Sequence, residues 1–279
     1  MSTVDVAGDQ ISTPDPFVAL MRRYVVDYTN SHDLAVCDEI MVPGYELRMG
    51  PHVLTGRDEA YKPATLAQLR QFPGLGLTVH EIVSSGDRLA LRFSEHGASV
   101  RHGGRVAAWA GIGLYQWDGA RLTANRVEQD YLARRRQLAD GRCDPVESPA
   151  PAPWDTVAQP PDPQAERVVR GWVAGGVTTT PGVVCDDGRE AAALVDISDG
   201  DVEIDDVFSA GDRVGVHAAL HGRFAGGLDG LADQVGAPAT LHLAALVRVR
   251  AGQVVEGHVV RDRLGLQRAL SASPSGVAP

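Results

Sequence analysis

Lysine is almost absent from this 279-residue sequence: Lys62 is the only one, and every other cationic side chain is an arginine. A lone lysine beside Pro63 at a helix start reads as a surface residue rather than a Schiff-base amine. Cysteine is scarce too. Cys37, Cys143 and Cys185 are too few and too scattered for a disulfide framework, and none stands at zinc-ligand spacing from another, so neither metal nor cofactor is expected. Positive charge is in deficit, with a formal net charge of −10, which argues against nucleic acid because phosphates need a basic face. There is no run of 18 apolar residues and no basic-then-apolar N-terminal segment, so neither a membrane span nor a signal peptide is supported and a cytoplasmic location is expected.

What is present is enough apolar residue, 44% of the chain, to build more than one core. Residues 1–14 are polar and aperiodic and read as a flexible arm. The stretch 140–163 carries closely spaced prolines (Pro149, Pro151, Pro153, then Pro160, Pro161, Pro163) that remove backbone donors and favour an extended linker. It separates a domain over 15–139 from a shorter one over 164–271, and a small polar tail covers 272–279.

The two halves are alike. Leu77–Leu91 aligns without gaps on Val202–Val216, each reading as strand, tight turn at Gly86-Asp87-Arg88 or Gly211-Asp212-Arg213, and strand. Leu114–Leu122 matches Leu246–Val254, and Val127–Leu132 matches Val259–Leu264, which pairs Asp130 with Asp262. Helices open both copies. Phe17, Leu20, Met21, Tyr24, Val25 and Tyr28 form an apolar stripe, Asp33 is placed to cap a second helix and Gly56 to start a third, while Gln164–Val173 forms the first helix of the second copy. That copy reaches its matching strand about twenty residues sooner, so its second helix and first strand are cut down. Helices followed by an antiparallel meander, twice over, make an α+β chain.

This order, with Tyr28–Leu34, Gly86–Phe93, Tyr115–Leu122 and Asp262–Leu270, resembles the nuclear transport factor 2-like superfamily, specifically its SnoaL-like polyketide cyclase branch. The resemblance implies two tandem cone-shaped units, each a curved antiparallel sheet wrapped by N-terminal helices, packed sheet to sheet as a pseudo-dimer. Further oligomerisation is compatible with it. It also implies that a small hydrophobic molecule is the partner, held in a deep apolar cone.

Such cones work by acid–base chemistry, because burial raises a carboxyl's pKa toward neutrality. SnoaL-like cyclases carry an acid–base aspartate on the terminal strand, where Asp130 stands with Arg126 and Glu128 on its face. Asp262 is its counterpart, with Glu256 and His258 alongside. The other reading of Asp130 is an ion pair with Arg134 or Arg263. Tyr24 falls where ketosteroid isomerases hold their oxyanion tyrosine, but the base of that family would land on Met49 and its protonated acid on Gly113. Limonene-type epoxide hydrolases place Arg-x-Asp on a central strand; this sequence has Arg92-x-Ser94, with Glu95 facing the other way. The expected catalytic set is therefore Asp130, Tyr24, Arg92 and Asp262, with Trp109, Tyr115, Met49, Asp38, Glu128 and His258 on the substrate. The expected activity is acid–base cyclisation, isomerisation or dehydration of a hydrophobic carbonyl compound. Epoxide opening, as in hydrolases or polyether-type cyclases, and non-catalytic ligand binding or scaffolding are the alternatives.

Overall fold

The computed structural model describes residues 15–177, 180–188 and 195–272. The arm expected over 1–14 and residues 273–279 of the expected tail lie outside them, while Ala272, expected to open that tail, ends the last helix. Asp15 opens the first helix, α1 (Pro16–Arg22), by accepting from the Phe17 amide at 2.9 Å, with Pro16 at the position where no amide donor is needed. The helix runs on as a π-wound segment (Arg23–Thr29), which keeps Tyr24, Val25 and Tyr28 buried. There follow α2 (Val36–Ile40), β1 (Met41–Met49), β2 (His52–Thr55) and a π turn (Arg57–Tyr61) leading into α3 (Lys62–Gln71). A four-strand meander closes the unit: β3 (Gly76–Ser84), β4 (Arg88–Ser99), β5 (Arg105–Trp117) and β6 (Leu122–Gln129), capped by α4 (Tyr131–Asp140). The β3–β4 turn places Gly86 at φ +94°, a conformation open to glycine, and Ser85 donates its amide to the Arg88 carbonyl at 2.9 Å.

The second unit repeats this with fewer parts: α5 (Pro163–Ala174), β7 (Val183–Cys185), β8 (Asp196–Ala210), β9 (Arg213–Gly226), β10 (Pro238–Arg250), β11 (Gln253–Arg261) and α6 (Arg263–Ala272). The sheets are ordered β2-β1-β6-β5-β4-β3 and β7-β11-β10-β9-β8. Both are mixed rather than antiparallel throughout, since β1 runs parallel to β6 and β7 parallel to β11. The opening strand meets its partner only after the whole meander, a separation long enough for a parallel crossover. Strand registers coincide between units. Leu77 faces Glu95 as Val202 faces Leu220, Glu95 faces Trp109 as Leu220 faces Leu241, and Gly111 faces Gln129 as Leu243 faces Arg261.

The two sheets pack against each other through an apolar seam in which Val83, Ala90, Ile112 and Leu114 meet Phe208, Ala210, Ala244, Leu246 and Val260. Full burial of one aliphatic side chain contributes ~1.5–3 kcal/mol, against ~0–1 kcal/mol for an exposed ion pair, so the seam dominates the charged pairs at its rim. The proline-rich stretch between the units docks rather than hangs free. Ala150 donates to the Val79 carbonyl at 2.8 Å and Gln159 to Ser84 at 2.9 Å, covering the open edge of β3.

Candidate functional site

Each sheet is buried on both faces, one toward its own helices and one toward the other unit. In the first unit the helix-side face encloses a cavity of about 230 Å³. Tyr24 and Tyr28 enter it from the π-wound segment, Tyr61 from the second π turn, and Thr65 and Gln68 from α3. The sheet contributes Phe93 and Glu95 from β4, Tyr115 from β5, and Asn125, Val127 and Gln129 from β6.

The phenols form a connected group. Tyr28 Oη lies 3.0 Å from Tyr61 Oη and 3.2 Å from Thr65 Oγ1, and Tyr24 Oη lies 3.3 Å from Tyr61 Oη. The Tyr24 and Tyr115 rings meet edge to face at 5.6 Å. Burial pushes the hydroxyls of Tyr24, Tyr61 and Tyr115 well above the ordinary phenol value, so they stay protonated and able to donate.

Glu95 is the one carboxylate among the residues lining this cavity. Burial raises its pKa to about 7, opposed in part by the Gln68 amide, which donates to Oε2 at 2.7 Å, and by the charge of Arg134. Behind the wall Trp109 Nε1 donates to Gln129 Oε1 at 2.7 Å, and the Arg134 guanidinium stacks 3.9 Å above the Tyr131 ring. A carboxyl that titrates near neutrality under a canopy of protonated phenols can take up and return a proton while an adjacent oxygen is held.

Of the residues singled out from sequence, Tyr24, Tyr115 and Met49 line the cavity, and Trp109 supports its wall through Gln129. The others are elsewhere. Asp130 is 1% exposed but outside the cone. It caps α4 by accepting from the Ala133 amide at 3.1 Å and binds Arg263 of the second unit at 2.5 Å. Burial and the nearby Asp186 raise its pKa and Arg263 opposes them. Arg92 lies on the opposite face of β4, paired with Glu147 at 2.5 Å. Glu128 meets His217 of the second unit at 3.0 Å and the Gly50 amide at 2.7 Å. Asp262 caps α6 through the Gly265 amide at 2.8 Å. His258 borders a separate cleft between the units, where burial lowers its pKa to about 4. Asp38 is half-exposed and pairs with Arg57 at 3.1 Å and with Lys62. The physical reason is common to Asp130, Glu128 and Arg92: their side chains lie on the side that looks at the other unit, not on the face enclosed by the helices.

Gln68, Asn125 and Gln129 escaped the sequence reading, and Glu95 entered it only as facing away from Arg92. One signal was available, because the repeat replaces Glu95 by Leu220, Tyr115 by Val247 and Asn125 by Gly257. Correspondingly the second unit's helix-side core is aliphatic, packed with Val216, Ala218, Leu243, Ala245, Val247 and Val259. Among the described residues no group of three or more His, Cys, Asp or Glu side chains is arranged to hold a metal ion, and no helix is long and apolar enough to cross a membrane.

Residues 21–125 match a family model described as a SnoaL-like domain, and residues 188–270 match one described as SnoaL-like polyketide cyclase. A comparison with curated proteins finds no match. Similar solved structures include TsrD from Streptomyces laurentii (25% identity, 44% of this chain and 94% of that one, TM-score 0.39). IdmH from Streptomyces antibioticus is another (22% identity, 44% and 98%, TM-score 0.39).

Proposed function

The chain belongs to the SnoaL-like family, two copies in tandem, and from that premise we propose that its first cone is the active site of a cyclase-type enzyme moving protons on a neutral carbonyl compound. The observation that carries this reading is Glu95, a buried carboxyl titrating at about 7 in a cavity otherwise lined by neutral groups. Ionised Glu95 removes a proton from the carbon next to the carbonyl. The negative charge that develops on the carbonyl oxygen is met by the Tyr24 or Tyr115 hydroxyl, which donates to it. The carbanion-like carbon then attacks a second electrophilic carbon of the same molecule, and Glu95 returns its proton to the oxygen formed there. Isomerisation and dehydration share the first step and differ in where the proton is returned.

Epoxide opening finds less support, because Arg92 and Asp130, the residues it relied on, lie outside the cone. The second unit, with Leu220 in place of Glu95 and an aliphatic helix-side core, serves as the structural partner of the first.

The test is Glu95→Gln in the full chain, assayed by deuterium exchange at C1 of 2-tetralone, a small neutral bicyclic ketone, with binding measured separately by calorimetry. Exchange should fall by roughly 10²–10⁴-fold while affinity changes only a few-fold. Undiminished exchange in the variant would overturn the assignment.

A further inference from the structure

The cleft bordered by His258 takes no part in the chemistry of the cone. It encloses about 190 Å³, and His80 and Ser94 line it on the side of the first unit. His80 is the extra residue of a β-bulge: Thr78 pairs with Ser94 and Val79 with Phe93, but the next pair is Glu81 with Arg92. Bulges re-aim a side chain, and here the His80 Nε2 lies 2.9 Å from Ser94 Oγ. On the other side of the ring, Nδ1 lies 3.1 Å from the Ser148 carbonyl of the docked proline-rich stretch.

That carbonyl can only accept, so Nδ1 carries the ring proton. Burial holds the His80 pKa below its ordinary value, opposed by the Ser148 carbonyl and Glu147 and aided by Arg92 and His96, so the ring is neutral at pH 7. His258 also faces the cleft and is neutral above about 4. The His80 Nε2 therefore offers a lone pair, and the Ser94 hydroxyl donates to it. A hydroxyl bonded to an imidazole that a third group orients is the arrangement of an activated nucleophile. His80 is 8% and Ser94 9% exposed, so the pair is screened from bulk water while it lines the cleft. The shared fold does not demand this pair, because the repeat has Asp205 in place of His80 and Ala219 in place of Ser94.

We propose that Ser94 is a nucleophile that accepts an acyl group in this cleft, with His80 as its base. Ser94 Oγ attacks the carbonyl carbon of the ester, and its proton passes to His80 Nε2. The bond to the leaving atom breaks, and that atom takes the proton from Nε2. Water then attacks the acyl carbon, giving a proton to Nε2, and Ser94 Oγ departs with that proton. The products are a carboxylic acid and an alcohol or thiol. Ser94 stands mid-strand with its amide in the sheet, unlike a nucleophile at a helix start, where free amides meet the oxyanion. Arg92 is the one guanidinium among the described residues lining the cleft, and Glu147 holds it at 2.5 Å. The substrate class is therefore a small activated acyl compound, an aryl ester or thioester whose leaving group departs easily. This chemistry is separate from proton transfer at Glu95 and does not depend on it.

The experiment mixes the full chain with 4-nitrophenyl acetate, follows 4-nitrophenolate release and maps the acetylated residue by peptide mass spectrometry. Wild type should give a burst of nitrophenolate with the acetyl group on Ser94. Ser94→Ala should lose that label and lower the burst at least about tenfold, with its thermal midpoint little changed. His80→Gln should slow acylation by about 10²-fold or more. The wild-type acylation rate should rise with pH and level off below about 6.5, as His80 loses its proton. Mapping on wild type decides the matter even where a variant fails to fold. Acetylation confined to other residues, such as Lys62, overturns the proposal, as does a burst undiminished in Ser94→Ala or acylation unchanged in His80→Gln.

Discussion

Glu128 of the first unit and His217 of the second meet at 3.0 Å, both without exposed side-chain surface, and the far nitrogen of that imidazole lies 2.9 Å from Asp205. Burial alone would lower the pKa of His217, but Asp205 and Glu128 outweigh it and the net direction is upward. Burial raises the Glu128 pKa. The two units are thus joined at the seam by an imidazole hydrogen-bonded between two carboxyl groups, a geometry that is costly to break on one side only.

His217→Leu should destabilise the chain by about 3–5 kcal/mol by leaving Glu128 and Asp205 buried without their partner, and Glu128→Leu/His217→Leu should recover part of that loss. The pH dependence has a definite sign. A histidine whose folded pKa is raised contributes stability that is complete below its unfolded value of 6.5 and is lost as pH rises through the folded value. Urea titrations from pH 5.5 to 8.5 should show falling stability in wild type and a flatter profile in the double variant. An unchanged slope would count against His217 as the titrating group.

Asp130→Asn should leave 2-tetralone exchange within about twofold of wild type. The amide can still cap α4, so the variant should lose only ~1–2 kcal/mol with the Arg263 contact, and Asp130→Ala a further ~1 kcal/mol with the cap. Exchange and thermal unfolding on the same samples separate the two effects. Lost exchange in a well-folded Asp130→Asn protein would return the proton-transfer role to that residue.

Phe93 and Gly111 form a large–small pair, with a Cβ at 111 falling 2.4 Å from Phe93 Cζ. The equivalent pair in the second unit is inverted, Ala218 with Leu243. Gly111→Leu alone should overpack the first cone and cost about 2 kcal/mol or more. Gly111→Leu/Phe93→Ala should regain most of that stability, and its ketone binding should be at least about tenfold weaker because the Phe93 ring is lost from the cavity wall. Thermal melting and calorimetry check the two halves of this expectation.

Glu95 sets activity and stability against each other. Its carboxyl is protonated below about 7 and ionised above, so exchange by the base form should rise through that pH and then level off. The raised pKa means that stability is complete below the unfolded value near 4.5 and declines by about 3 kcal/mol as pH passes through 7. Glu95→Gln should therefore be more stable than wild type at pH 9 and nearly equal to it at pH 5, as measured by denaturant titration.

Much of this architecture was written in local pattern. The stripe from Phe17 to Tyr28, the glycine turns at Gly86 and Gly211, and the matched stretches Leu77–Leu91 and Val202–Val216 depend on near neighbours along the chain, and each led to the element observed. Even the parity of the strands was legible in part: Glu128 and Asp130 both reach side chains of the second unit, and Glu95 lines the cone while Arg92 borders the cleft between the units.

What alternation could not supply was which parity looks into the cone. In a sheet with one wet face, polar residues mark the outside. Here both faces are covered, one by helices and one by the second unit, so Glu95 and Glu128 are both buried and composition does not tell them apart. That choice was made by the packing of two sheets on each other, a contact between segments more than a hundred residues apart. It sent Asp130 to Arg263 and left Glu95 among the phenols.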